Sequence, residues 1–112
     1  MKTEFFNYNN KTYTIIIGKN KNDNWAIIDD ACENDLWFHV SEMPSCHVIL
    51  KNNEKINLVP RQVITRCAYL CKINSIAKTL SKCDVIYALL CNVKKTNIAG
   101  QVTFEKCKNI SV

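Results

Sequence analysis

Asp35-Leu36-Trp37-Phe38-His39-Val40-Ser41-Glu42-Met43-Pro44-Ser45-Cys46-His47-Val48-Ile49-Leu50 is the stretch whose reading decides the fold. Alternation in an extended chain puts Leu36, Phe38 and Val40 on one face and Asp35, Trp37 and His39 on the other. After the turn around Met43-Pro44-Ser45, Cys46, Val48 and Leu50 share a face again. A hairpin pairing Val40 with Cys46 sets Trp37 opposite Ile49 and His39 opposite His47. Cross-strand neighbours lie roughly 5 Å apart at Cβ, so the only two histidines of the chain are expected side by side, with Ser45 and Asp35 near them. Leu36, Phe38 and Val40 read as core. The indole, the imidazoles and the carboxylate read as an outward-facing set.

Working outward, residues 4–8 and 12–17 flank Asn9-Asn10-Lys11 and form an opening hairpin, because asparagine tolerates the positive φ of a tight turn. The polar loop Gly18–Asn24 follows. Trp25, Ile28 and the 31–32 pair then repeat at helical spacing, with Asn22 or Asp23 as cap and Glu33-Asn34 as terminator. Beyond a polar stretch from Lys51 to Asn57, Pro60 opens a longer helix. Its stripe is Val63, Ile64, Cys67, Ala68, Leu70 and Cys71, and it ends near Asn74. Asp84–Leu90 reads as a strand buried on both faces, with Tyr87 in the core. Asn92–Gly100 reads as a lysine-bearing loop, and 101–106 as a closing strand. The order ββαββαββ predicts a single α+β domain over residues 1–112, an antiparallel or mixed sheet with one short and one long helix.

Composition narrows the class. The 112 residues are 47% hydrophobic and 22% charged, which describes a globular domain and not a disordered chain. No apolar run approaches the ~18 residues that span a bilayer. The apolar segment of a secretory signal is missing after Lys2, so the expected location is cytoplasmic and no membrane partner is expected. Seven cysteines, an odd number without a Cys-x-x-Cys pair, read as reduced and mostly buried thiols. A zinc site from Cys67, Cys71 and a histidine is the weaker alternative. The formal charge of +5, from 15 basic and 10 acidic residues, tolerates a polyanionic partner. The abundance of Asn, Lys and Ile is also what an AT-rich genome produces, so charge alone decides nothing.

Three readings of the patterned residues stand side by side. In the first, Trp37 and an imidazole stack on unpaired bases while lysines hold the backbone. The second is acid–base or metal chemistry on RNA or a nucleotide, using His39, His47 and Asp35. In the third, these groups only satisfy their neighbours. Lys19 and Lys21 lie where a strand enters a helix, a natural anion site. If Lys94 and Lys95 reach the same rim, the four lysines make one positive edge. Neutralising about three phosphates there predicts a log–log salt slope of roughly −2 to −3. The loop is not a Walker motif, since its second glycine and Lys-Ser/Thr pair are missing.

Taken in order, Gly18-Lys19-Asn20-Lys21-Asn22-Asp23-Asn24, Asp35-Leu36-Trp37-Phe38-His39-Val40 and Pro44-Ser45-Cys46-His47-Val48-Ile49-Leu50 resemble the NFACT-R domain family. That family's pattern is a Gly-basic-Asn loop, an Asp-x-Trp-x-His strand and a Ser-x-His strand. The likeness continues through Ala68-Tyr69-Leu70, Asn74-Ser75, Val93-Lys94-Lys95 and Gly100-Gln101-Val102-Thr103-Phe104. Cys46, where a small residue is usual, and Trp25, where an aliphatic or acidic one is common, depart from it. The nearest flavour is the eukaryotic coiled-coil-domain-containing group, and the expectation is a free-standing module.

The resemblance implies a non-catalytic RNA-binding domain tied to translation, ribosome-associated quality control or RNA modification. It marks Gly18, Asn20, Asn24, Asp35, Trp37, His39, Ser45, His47 and Lys95. Together with Lys19, Lys21 and Lys94 as phosphate contacts, these give the expected binding set. The expected partner is RNA, either tRNA or rRNA, with no cofactor and no metal. DNA, ribosomal proteins and quality-control proteins remain alternative partners.

Overall fold

Asn9 and Asn10 both adopt positive φ, 54° and 65°. They form the two-residue turn joining β1 (Lys2–Tyr8) to β2 (Lys11–Ile17). Positive φ at both central positions matches the right-handed twist of the strands, and asparagine bears it at low cost. The computed structural model describes residues 1–112. β3 (Leu36–Val40) and β4 (Val48–Leu50) pair antiparallel with Trp37 opposite Ile49, the register expected from alternation. The long helix, α2, runs Arg61–Ile73 with Pro60 as its N-cap. Its stripe Val63, Ile64, Cys67, Ala68, Leu70 and Cys71 is buried throughout.

With β5 (Asp84–Leu89) and β8 (Lys108–Ser111), the main sheet has the order β1-β2-β4-β3-β5-β8 and is antiparallel at every pairing. One face packs Ile15, Ile17, Leu36, Phe38, Val40, Val48, Leu50 and Val85 against α2. Tyr87 joins this side, stacked on Phe38 with ring centroids 5.4 Å apart. The other face is also covered. Trp37, Ile49, Ile86 and Ala88 pack with Ile27 and Ile28 of α1 (Lys21–Asp29) and with Val93. Val93 begins a two-stranded hairpin of β6 (Val93–Lys95) and β7 (Val102–Phe104).

This second layer corrects several expectations. The face carrying Asp35, Trp37 and His39 is not a solvent face, because α1 and the β6–β7 hairpin lie over it. Lys94 and Lys95 sit in a strand and not in a loop. The strand expected over 101–106 shortens to β7 and leaves the main sheet. The strand that closes that sheet is β8, of which only Ile110 is buried, so it carries little apolar signal.

Helix α1 is capped by Asn20, whose side chain accepts the Asp23 N–H at 2.9 Å. It stops at Asp29, four residues before Glu33. Adjacent carboxylates at Asp29 and Asp30 oppose the negative C-terminal end of the helix dipole. Of the seven thiols only Cys46, Cys67 and Cys71 are buried, and Cys91 is turned outward by the 3-10 turn Leu90–Asn92. No helix is long and apolar enough to cross a membrane.

Candidate functional site

Gly18 ends β2 where the chain turns into α1, and a Cβ there would lie 2.4 Å from Asn24 Oδ1. That close approach is what glycine permits. The Asn24 oxygen accepts the His47 N–H at 3.1 Å, and Gly18 N–H donates to the His47 carbonyl at 2.9 Å. Both backbone polar groups of His47 are thus held from the α1 entry. Across the turn, the Ser45 hydroxyl accepts the Val40 N–H at 3.1 Å and donates to the Cys46 carbonyl at 2.7 Å. These bonds end the β3–β4 ladder at Phe38–Val48 and open the strands beside the histidines.

The ring of His47 is 2% exposed as part of its residue, and its Nδ1 accepts the indole N–H of Trp37 at 3.2 Å. Nδ1 is therefore unprotonated in the neutral ring, and Nε2 carries the proton. His39 donates from Nδ1 to the Val40 carbonyl at 2.6 Å, which leaves its Nε2 as an acceptor. The two rings are 5.2 Å apart at their centroids and nearly perpendicular. Burial lowers the pKa of both; for His47 the nearby His39 adds to burial and the value falls to about 3. At neutral pH the pair is uncharged, with one donor and one acceptor fixed by neighbours.

These histidines form part of the floor of an open cleft of about 610 Å³ at the C-terminal ends of β2 and β3. Lys19, Asn20, Lys21 and Asn24 line it from the α1 entry, and His39, Ser45 and His47 from the β3–β4 turn. No carboxylate lines it. Neither Lys19 nor Lys21 joins an ion pair. Asp23, the nearest acid in sequence, is engaged by the N-terminal ammonium at 2.8 Å and the Lys19 N–H at 3.2 Å. Those hydrogen bonds lower its pKa. The lining of the cleft is therefore positive; neither ammonium group is ion-paired, though the Lys19 charge also acts on Asp23 beside the cleft.

Four of the expected residues lie elsewhere. Trp37 is fully buried beneath the cleft, wedged between His39, His47 and Phe104, so the expected outward stacking platform is not there. Asp35 lies four residues up the strand from His39, about 13 Å away at 3.3 Å per residue. It is buried, accepting the Cys32 and Asn52 N–H groups at 2.9 Å and pairing with Lys51 at 3.1 Å. The constellation of two histidines and a carboxylate that acid–base chemistry required is thus dispersed. Lys95 reaches back to Asp29 at 2.6 Å and lies over the Trp25 ring at 5.0 Å. Lys94 borders another depression with Thr103, Phe104 and Glu105, away from Lys19 and Lys21. The single edge of four lysines reduces to two. Cys67 and Cys71 face the core on α2, where Cys71 meets Cys46 across the sheet's opposite side from the imidazoles.

Asn74, Ser75 and Gln101 also line the cleft, and Phe104 adjoins it; none was among the expected binding residues. The length of α2 delivers the first two, a relation that no local pattern reveals. Asn74-Ser75 and Gly100–Phe104 do stand in the stretches that resemble the family.

A family model described as the NFACT protein RNA binding domain matches residues 2–106. The chain belongs to this family. Coiled-coil domain-containing protein 25 of Mus musculus is 38% identical to it over 109 residues, covering 93% of the chain and 52% of that protein. The Rqc2 homolog RqcH of Bacillus subtilis is 31% identical over 102 residues, covering 88% of the chain and 17% of that protein. A solved structure, the C-terminal part of the fibronectin/fibrinogen-binding protein from Streptococcus suis, superposes with a TM-score of 0.84 at 27% identity. It matches the whole of this chain and 45% of its own. This NFACT-R chain spans about half the length of the first curated relatives it matches.

Proposed function

We propose that this NFACT-R domain binds RNA, without catalysis of its own, through the cleft between the α1 entry and the β3–β4 turn. The observation that carries the reading is the pairing of two unpaired lysines with a cleft lined by no carboxylate. A phosphate entering there meets two cations and no carboxylate in the lining, Asp23 in the first turn of α1 being held by the N-terminal ammonium, and the Asn20-capped start of α1 adds its positive dipole end. Neutral hydrogen-bonding groups on the floor suit nucleobases better than a second charge. The RNA-binding description of the family supports this reading.

The finer proposal is a cytoplasmic role on tRNA or rRNA at the ribosome, in translation quality control. It rests on the likeness to the Rqc2 homolog RqcH. Pull-down from a ribosome-containing lysate, with and without nuclease, tests it. The reading expects tRNA or rRNA to be recovered and the association to vanish on nuclease treatment. Retention that ignores nuclease contradicts it and favours a protein partner.

A further inference from the structure

The cleft does not end at the histidines. A second depression of about 220 Å³ shares His39, His47, Gly100 and Gln101 with it and continues to Val102 and Phe104, with the buried Trp37 at its base. The two make one groove with lysines at one end and an aromatic ring at the other. His47 Nε2–H has no protein partner, yet it is not among the enclosed atoms, so it opens into this groove from an otherwise buried residue. His39 Nε2 is likewise without a partner. Both nitrogens are therefore reachable from the groove, and a ligand that replaces water there must supply an acceptor for one and a donor for the other. Asn24 adds its Nδ2, because Oδ1 is committed to the His47 N–H.

We propose that this groove takes a single unpaired nucleotide of the RNA. Its base edge meets His47 Nε2–H and His39 Nε2, its face rests on Phe104, and its phosphate lies at Lys19 and Lys21. The proposal rests on the RNA-binding reading above and sharpens it from RNA in general to an extruded or single-stranded base. Every nucleobase carries a donor beside an acceptor on its Watson–Crick edge, so one donor and one acceptor complement any of them. They complement none while that edge is paired. A stacked, paired base also has no free face for an aromatic side chain. Phe104, 43% exposed and 5.2 Å from Trp37 at the ring centroids, takes the stacking role expected of Trp37. The indole acts from behind, fixing the tautomer that His47 presents.

Fluorescence anisotropy tests this with three RNAs: a short single strand, the same strand in a blunt duplex, and that duplex with one bulged nucleotide. The expected order is tight binding to the strand and the bulge and at least about tenfold weaker binding to the blunt duplex, within the range of one stacked base. Phe104→Ala weakens the strand and bulge by about tenfold and leaves the duplex unchanged. In the unaltered protein, imidazole nitrogen resonances of His39 and His47 shift with the single strand and not with the blunt duplex. Equal affinity for strand and duplex, or imidazole resonances that ignore the strand while it binds, overturns the proposal and leaves RNA binding standing. No binding to any of the three at low salt overturns both.

Discussion

The indole N–H of Trp37 donates to Nδ1 of His47 at 3.2 Å, and the rings meet edge to face with centroids 5.6 Å apart. This bond makes a fully buried residue responsible for the chemistry of the groove floor. In the protein, nitrogen NMR is expected to show His47 protonated at Nε2 and His39 at Nδ1. Trp37→Phe removes the donor and lets His47 populate both tautomers. Trp37→Ala removes a large core side chain and is expected to cost about 3–5 kcal/mol of stability, read by denaturant unfolding. A folded Trp37→Ala protein of normal stability contradicts the burial described here.

Acid is expected to weaken the fold through the same pair. Both imidazoles have folded pKa values below the ordinary 6.5, His47 at about 3. The unfolded chain takes up protons below about pH 6.5 that the folded chain refuses. Stability is therefore complete above pH 6.5 and falls on acidification, for His47 until pH about 3. The slope is about 1.4 kcal/mol per pH unit for one such group. Urea unfolding between pH 7 and pH 4 measures it, and His47→Gln flattens the slope. RNA affinity between pH 6.5 and 8 is expected to show no histidine titration.

Gly18 and Asn24 act through one hydrogen bond. Asn24→Ala leaves the buried His47 N–H unpaired and is expected to cost about 1–3 kcal/mol. Gly18→Ala pushes the Asn24 oxygen away and costs a similar amount. Because both changes break the same bond, the double variant is expected to cost clearly less than the sum. Thermal or urea unfolding of the four proteins gives the coupling, and strict additivity contradicts the shared bond.

Much of this was legible in the residues. Alternation fixed the β3–β4 register and with it the neighbouring histidines. Asn9-Asn10 fixed the first turn, and the apolar stripe fixed α2. Burial of the Trp37 face was not legible, because what covers it is distant in sequence: Ile27 and Ile28 of α1 and the β6–β7 hairpin. In one strand a half-buried face and a twice-covered face look alike until the covering layer is known. The alternating hydrophobics Leu36, Phe38 and Val40 invited the first reading, although Trp37 itself was a large apolar group. Lys95 shows the same limit: its partner Asp29 lies on another element, and only three dimensions reveal the lysine to be occupied.

Separating Lys19 and Lys21 from Lys94 and Lys95 also revises the electrostatics. With at most two phosphates neutralised on a single strand, the log–log salt slope is no steeper than about −1.4, shallower than the roughly −2 to −3 expected for about three. Titrating single-stranded RNA over a range of salt with the native protein, Lys19→Ala/Lys21→Ala and Lys94→Ala/Lys95→Ala tests the account most directly. The first double variant is expected to lose affinity and nearly all of its salt dependence, while the second matches the native protein. Loss in the second with the first unaffected would contradict it.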